Sequence, residues 1–489
     1  MALATFASLH ADVLHMIVDE LLLQPWTSPA HRANMMRRYL VALMRLNRNI
    51  YSALQYRLYR HLRVSTTRSL ALLVRTLLER GDLRGVPRSL DAVPDWGKGV
   101  GDVGQDLWAE MMTCTTTAGH GGCESNARVR RVLDVIASNS NSKNSIPIAN
   151  LFMAAFHLMT NLQSVSVTQP LLVGMEPEWL ADLVATIRQL DDPDSECQQR
   201  QRVPLRQLEI VMKKVHPPVL PGTLASMDLA TVETLAVDFG KHDTHRALEE
   251  LPTLDLPNLA RLRLSLDTFR IRCALHYVPS LFWEERADNR YSGPGLKELC
   301  LRQRHWLSPH LDSAGLEQTL QNCQDTLETL RLDTLGPSVP FPGGAQGLFS
   351  RGLPLLAKLE RLDVDAGVLW PRLYHLAYPY YYDHVTHSFA PITYAVLPRS
   401  MKALRVAQGS TWQGRRDAGW RMATMLGDLA RFVEDHGHLY PHLNELECWT
   451  KRRPEDRDCR HGEGWGGQKE ALERVAAACA RRGIRFCGW

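Results

Sequence analysis

Few residue patterns in this chain could do chemistry. Gly99, Gly101 and Gly104 have the spacing of a dinucleotide-binding loop, where glycines let backbone approach a pyrophosphate at a helix start. The preceding Ala92-Val93-Pro94-Asp95-Trp96 is not the apolar run of a buried strand, and no acidic residue on a second strand follows about 20 positions later. The triplet reads as a flexible loop. Cys114, His120 and Cys123, like Cys448, Cys459 and His461, carry metal-capable side chains without the paired Cys-x-x-Cys spacing of a zinc site. No GxSxG elbow, Walker loop or HExxH pair occurs, and no His and carboxylate single out a nucleophile with its base. The expectation is a non-catalytic chain with no cofactor and no metal.

The spacing that does recur is structural. An apolar residue, two variable residues, Leu, one variable residue and another apolar residue return as LRQLEI from Leu205, VETLAV from Val232, LARLRL from Leu259 and LKELCL from Leu296. The pattern continues as LETLRL from Leu327, LERLDV from Leu359, MKALRV from Met401 and LNELEC from Leu443, with LQSVSV from Leu162 a degenerate earlier copy. Successive starts lie 27 residues apart from Leu205 to Val232 and to Leu259, and 42 apart from Leu359 to Met401 and to Leu443. The shorter period matches leucine-rich repeats of roughly 20–29 residues, and the longer one requires inserts. Period-two alternation puts Leu262 and Leu264, or Leu330 and Leu332, on one face of a short strand, with Arg263 and Arg331 on the other. Between motifs, Trp179, Leu180, Leu183, Val184, Ile187 and Leu190 form a helical stripe. Further helices are expected from Gly419 to Val433 and from Lys469 to Cys479, the latter stopped by Gly483, with IRFCGW closing the sheet.

The fold class expected is therefore an α/β solenoid, a degenerate leucine-rich-repeat array of strand–helix repeats with a parallel sheet. Its outward strand positions are candidate contacts for a target protein: Arg263, Arg302, Arg331, Asp333, Asp363, Asp365, Arg405 and Trp449, together with Glu209, Asp238 and Glu447. Any one of them also fits a solvated sheet face with weak cross-strand ion pairs. Large exposed solenoid faces nonetheless suit binding as a whole.

The start of the chain is different. Leu14, Ile17, Val18 and Leu21 recur at helical spacing, then Met36, Leu40, Leu43 and Met44, then Ile50, Ala53, Leu54 and Leu58. Leu9, Val13-Leu14, Ile17 and Leu21-Leu22, followed by LVALMRLNRNIYSALQYRLYRHLRV from Leu40 to Val64, resemble the F-box of filamentous-fungal F-box proteins. His10 stands where that family usually carries proline. The resemblance implies a small all-α head that grips the Skp adaptor of a cullin-based ubiquitin ligase through Leu9, Val13, Leu14, Ile17, Leu21, Leu43 and Leu46. It also implies a solenoid that selects an unidentified protein substrate. Read without the resemblance, these helices are a cap over the first repeat. Three spans follow: 1–64 as the head, 65–150 as connecting helices and flexible loops, and 151–489 as the solenoid.

Composition limits the alternatives. A chain of 489 residues with 45% hydrophobic content can bury a sizeable core. A formal charge of +4 is too small to make nucleic acid the default partner, although His31 to Arg80 holds eleven arginines and one acid, Glu79. No uncharged apolar stretch approaches the roughly 18 residues a membrane span needs. Ten scattered cysteines and no secretory leader point to a soluble protein of the cytoplasm or nucleus, with no membrane partner. Gly97 to Gly122, Ser138 to Ser145 and a tyrosine-rich run from Tyr378 to His384 read as loops.

Overall fold

The computed structural model describes residues 58–92, 103–117, 123–138, 145–168, 171, 177–190, 203–211, 227, 229–238, 256–266, 284–285, 291–292, 295–303, 319–334, 353–365, 397–408, 418–450 and 466–488, with isolated positions between 38 and 56. The chain forms two compact units, Met1–Arg206 and Gln207–Trp489.

In the first unit three strands, β1 (His61–Arg63), β2 (Ser89–Ala92) and β3 (Ser164–Thr168), pair in parallel in that order. Leu62, Leu90 and Val165 stand in one row across them. Helix α1 (Thr67–Glu79) begins at a reciprocal cap, in which the Thr66 hydroxyl accepts from the Ser69 N–H and the Ser69 hydroxyl accepts from the Thr66 N–H. It buries Leu70, Leu73, Val74, Leu77 and Leu78, the stripe that helical spacing dictates. Its last carbonyls lack helical partners, and the buried Arg84 supplies them by donating to Leu77 O and Leu78 O.

Helices α2 (Gln105–Thr117), α3 (Cys123–Ser138), α4 (Ile148–Leu158) and α5 (Pro177–Arg188) complete the unit. Helix α4 is buried on nearly every side, which explains why its sequence has almost no polar face. Near the end of α3, the Asn150 amide donates to Ile136 O at 3.0 Å and the Trp179 indole to Val135 O at 2.7 Å. Two sequence expectations change here. Gln105–Thr117 is a helix inside a segment read as a loop, since Leu107 and Met111 give it an inner side that the surrounding glycine and threonine obscure. The first strand falls at His61–Arg63, within the span read as an all-α head.

The second unit is a nine-stranded parallel run in sequential order: β4 (Gln207–Val211), β5 (Thr234–Asp238), β6 (Arg261–Leu266), β7 (Glu298–Gln303), β8 (Thr329–Thr334), β9 (Arg361–Asp365), β10 (Ala403–Gln408), β11 (Glu445–Thr450) and β12 (Arg485–Gly488). Every recurring motif becomes a strand that starts two residues after the motif does. The register is unbroken. Leu208, Leu235, Leu262, Leu299, Leu330, Leu362, Leu404, Leu446 and Phe486 form one row, and Ile210, Val237, Leu264, Leu301, Leu332, Val364, Val406 and Cys448 form a second. The leucines of the first row are buried, so these ladders are the core of a repeat-like α/β solenoid arrangement.

Successive repeats are tied before each strand begins. Ala260 and Arg261 N–H both bond Glu233 O, Lys297 and Glu298 N–H bond Ala260 O, and Glu328 and Thr329 N–H bond Lys297 O. The same fork recurs at Glu328 O, Glu360 O and Lys402 O. Just upstream the chain closes a tight turn, as in Leu259 N–H to Leu256 O and Leu443 N–H to Tyr440 O. Side chains reinforce it: Thr326 Oγ1 donates to Leu296 O and Ser400 Oγ to Leu359 O.

Helix α6 (Ala418–Arg431), a π-helical turn Phe432–His436 and α7 (Gly466–Arg481) pack together, and α7 packs against β12. Glu434 ties the turn to α7, accepting from Arg481 at 2.6 Å and from Arg474 at 3.2 Å. Helix α7 ends with Ile484 N–H on Cys479 O and Gly483 N–H on Ala480 O, a turn that requires the positive φ of +70° found at Gly483. Among the described residues no helix is long and apolar enough to cross a membrane.

Candidate protein-binding face

Because side chains alternate along a strand, the two apolar ladders leave three outward rows on the second unit. The middle row runs Glu209, Ala236, Arg263, Cys300, Arg331, Asp363, Arg405, Glu447, Cys487. One flanking row contains Arg261, Glu298, Thr329, Arg361, Ala403, Glu445 and Arg485. In the other, Asp238, Ser265, Arg302 and Asp333 are consecutive, while Ala407 lies in register with both Asp365 and Trp449. The eight candidate target contacts all occupy outward register positions. For Asp333, Asp365 and Trp449 this is a statement about backbone position alone. Leu9, Val13, Leu14, Ile17, Leu21, Leu43 and Leu46, the candidate adaptor contacts, lie outside the described residues, as does the run from Tyr378 to His384.

The charges on this face fall into two groups. Over β9 to β12 they neutralise one another locally. Asp363, buried, accepts from Arg361 Nε at 3.2 Å and lies 4.0 Å from an Arg405 nitrogen. Arg405 is also paired with Glu447, and Arg485 with Glu445 at 2.5 Å. The Glu445 carboxyl is held below its ordinary value by a hydrogen bond with the Glu447 carboxyl and then by Arg485. Burial pulls the Arg361 guanidinium down, yet Asp363, Glu447 and Glu445 outweigh it and the net shift is upward. This is one connected network of fixed charge.

Over β6 to β8 the balance is different. Glu298 is shared by two guanidiniums, at 3.2 Å from Arg263 and 3.6 Å from Arg261, whose side chains are 54% and 55% exposed. Arg302 is exposed and Arg331 half-buried. Between Arg263 and Arg331 stands Cys300. Burial pushes its thiol up; Arg331 and Arg263 pull it back, Glu298 adds to the rise and Arg302 lowers it again, so three guanidiniums and one carboxylate lie within electrostatic reach of one small side chain. Elsewhere burial raises the Cys323 and Cys448 thiols to about 12 and Cys479 to about 11, so these three are packed, protonated side chains.

No family model matches the chain, and no curated protein matches it.

Among the described residues no group of three or more His, Cys, Asp or Glu is placed to hold a metal ion. The arginine block is partly accounted for in the first unit. Arg63, Arg68, Arg75 and Arg80 lie within ion-pair distance of Asp91, Glu110, Glu79 and Asp82 respectively. These are solvated pairs, each worth some tenths of a kcal/mol. Sequence reasoning overlooked Cys300, Glu298, Arg361, Glu445 and Arg485 as members of the face. Each sits at the first or third residue of its strand, a position that the two-residue offset from motif to strand makes readable. The same offset identifies YRHLRV, from Tyr59 to Val64, as a repeat motif leading into β1.

Proposed function

We propose that this chain is the substrate-recognition subunit of a Skp–cullin–F-box ubiquitin ligase, its head binding a Skp-type adaptor and the outward sheet face binding a target protein. One observation supports the target-binding half: nine strands in continuous register carry outward positions, charged at many places, that take no part in either apolar ladder. A ladder of buried leucines needs polar outward positions for solubility. It does not need the clustered arginines of β6 to β8. The adaptor half rests on the F-box resemblance of residues 1–64. The apolar helices there would supply the surface that an adaptor covers.

A second reading, a repeat scaffold with no ubiquitin role, is favoured by a different observation. Met44 and Leu54 are buried within the chain itself, as expected where the amino-terminal helices serve as a cap over the first repeat.

Capture of a purified Skp-type adaptor separates the two. Full-length protein should retain the adaptor on beads, and Leu14→Asp with Ile17→Asp should release it while circular dichroism is unchanged. No capture by folded wild-type protein refutes the ubiquitin ligase assignment and leaves the scaffold reading.

A further inference from the structure

We infer that the outward face of β6 to β8 is a docking site for an acidic, Asp/Glu-rich peptide segment, seated over Cys300 and gripped by Arg263, Arg302 and Arg331. The inference deepens the proposed function by naming the chemistry of the target, and it rests on the reading of this face as a protein-binding surface.

The charge is concentrated. The outward positions of β6, β7 and β8 hold four arginines, Arg261, Arg263, Arg302 and Arg331, against two acids, Glu298 and Asp333. On β4 and β5 the outward positions hold Glu209 and Asp238 and no cation. On β9 to β12 they hold three arginines, Arg361, Arg405 and Arg485, against four acids, Asp363, Asp365, Glu445 and Glu447. A basic island thus lies between an acidic flank on β4 and β5 and a flank of mutually paired charges on β9 to β12. The Arg263 side chain is 54% exposed, whereas Arg405, held by Asp363 and Glu447, is 32% exposed; among the arginines of β9 to β12 only Arg485, on the last strand, stands further into solvent than Arg263.

The island has a shape that suits a carboxylate. Strands stand about 4.8 Å apart, so the backbones bearing Arg263 and Arg331 are roughly 10 Å apart with Cys300 midway between them. A thiol is short and a guanidinium long, so the centre of the island is lower than its rim. Arg302, two residues beyond Cys300 on the same strand, closes a third side. A carboxylate over Cys300 would meet guanidiniums from three strands, the forked donor geometry that binds carboxylates bidentately.

The flanks argue for peptide over nucleic acid. Glu209 and Asp238 on one side repel a polyanion that runs past the island, and the paired charges of β9 to β12 on the other offer it no net attraction, whereas a short acidic stretch fits inside the island. The nine outward positions of β6 to β8 include no aromatic residue on which a base could stack.

The test uses the full-length chain and a fluorescein-labelled hexaglutamate peptide flanked by Gly-Ser, read by anisotropy. Matched probes are an uncharged Gly-Ser-Gln peptide, a hexalysine peptide and a short single-stranded oligonucleotide. Wild type should bind the glutamate peptide in preference to all three, with affinity falling as salt is raised from about 50 to 500 mM. Arg263→Glu with Arg331→Glu should weaken glutamate-peptide binding by about tenfold or more and create binding of the lysine peptide. Should that variant not fold, Arg263→Gln with Arg331→Gln should weaken the glutamate peptide alone. Equal binding of the Gln and Glu peptides, or unchanged binding after the substitutions, overturns the inference. Preferred binding of the oligonucleotide overturns it together with the protein-binding reading of the face. Adaptor capture depends on the head, so it tests the ubiquitin assignment separately.

Discussion

Leu330→Ala offers the sharpest check on the register of the second unit. Leu330 is fully buried, and its register neighbours Leu299 and Leu362 are fully buried as well. Removing its isobutyl group leaves a cavity between two leucines already locked by their own strands, so collapse is limited. The cost should be about 3 kcal/mol, within the range of large-to-small core changes. Arg331 is the next residue on the same strand and points the other way, and Arg331→Ala should cost no more than about 0.5 kcal/mol. A repeat array need not unfold in one step, so residue-resolved hydrogen exchange is the right assay. At 1.4 kcal/mol per tenfold, Leu330→Ala should lower protection in β7, β8 and β9 by roughly a hundredfold, and Arg331→Ala by about twofold. A one-residue slip would exchange these two outcomes. Equal losses for the pair, or a larger loss for Arg331→Ala, would refute the assignment of inward and outward rows.

Three further outcomes follow from local geometry. Gly483→Ala should cost about 1 kcal/mol through its positive φ alone, because an added Cβ meets nothing within 4 Å; a neutral effect by thermal unfolding contradicts the turn that ends α7. Asp363→Asn removes the carboxylate facing Arg361 and Arg405, both partly exposed, and should cost about 1 kcal/mol, with a coupling to Glu447→Gln visible in a double-mutant cycle; strict additivity would dissolve the network. His61, hydrogen-bonded to Ser89 at 2.8 Å, is held below its ordinary value of 6.5 by burial and then by the Arg60 charge. The unfolded chain therefore takes up a proton before the folded one, so this contribution to stability is complete above about pH 6.5 and is lost as pH falls through the folded value. Unfolding midpoints should drop on acidification more in wild type than in His61→Gln, and the reverse ordering would contradict the assignment.

The apolar ladders were readable from the chain because each motif states its own alternation. Leu262 and Leu264 declare an inward face, and Arg263 the outward one, before any coordinates exist. The parallel stacking of neighbours was readable too, since the same motif position pairs from strand to strand, but the backbone forks that tie it, such as that at Glu233 O, carry no residue signature. The upstream turns left a trace in Leu256-Pro257-Asn258-Leu259 and Tyr440-Pro441-His442-Leu443, where two apolar residues bracket a tight turn. Helix α2 was hidden because its last turns are threonine-rich and its flanks glycine-rich, a composition that reads as loop unless Leu107 and Met111 are weighed together. The candidate face emerged only in part. Arg263 and Asp363 looked equivalent as outward charges, yet Asp363 is buried between two arginines while Arg263 shares a single carboxylate and remains largely open to solvent.

The proposal of two separable binding ends is tested most directly by one crossed measurement on full-length proteins, scoring adaptor capture and glutamate-peptide binding side by side. Leu14→Asp with Ile17→Asp should lose the adaptor and keep the peptide. Arg263→Glu with Arg331→Glu should keep the adaptor and lose the peptide. Loss of both activities in either folded variant, or retention of both in each, would contradict a chain that binds an adaptor with its head and a target with its sheet.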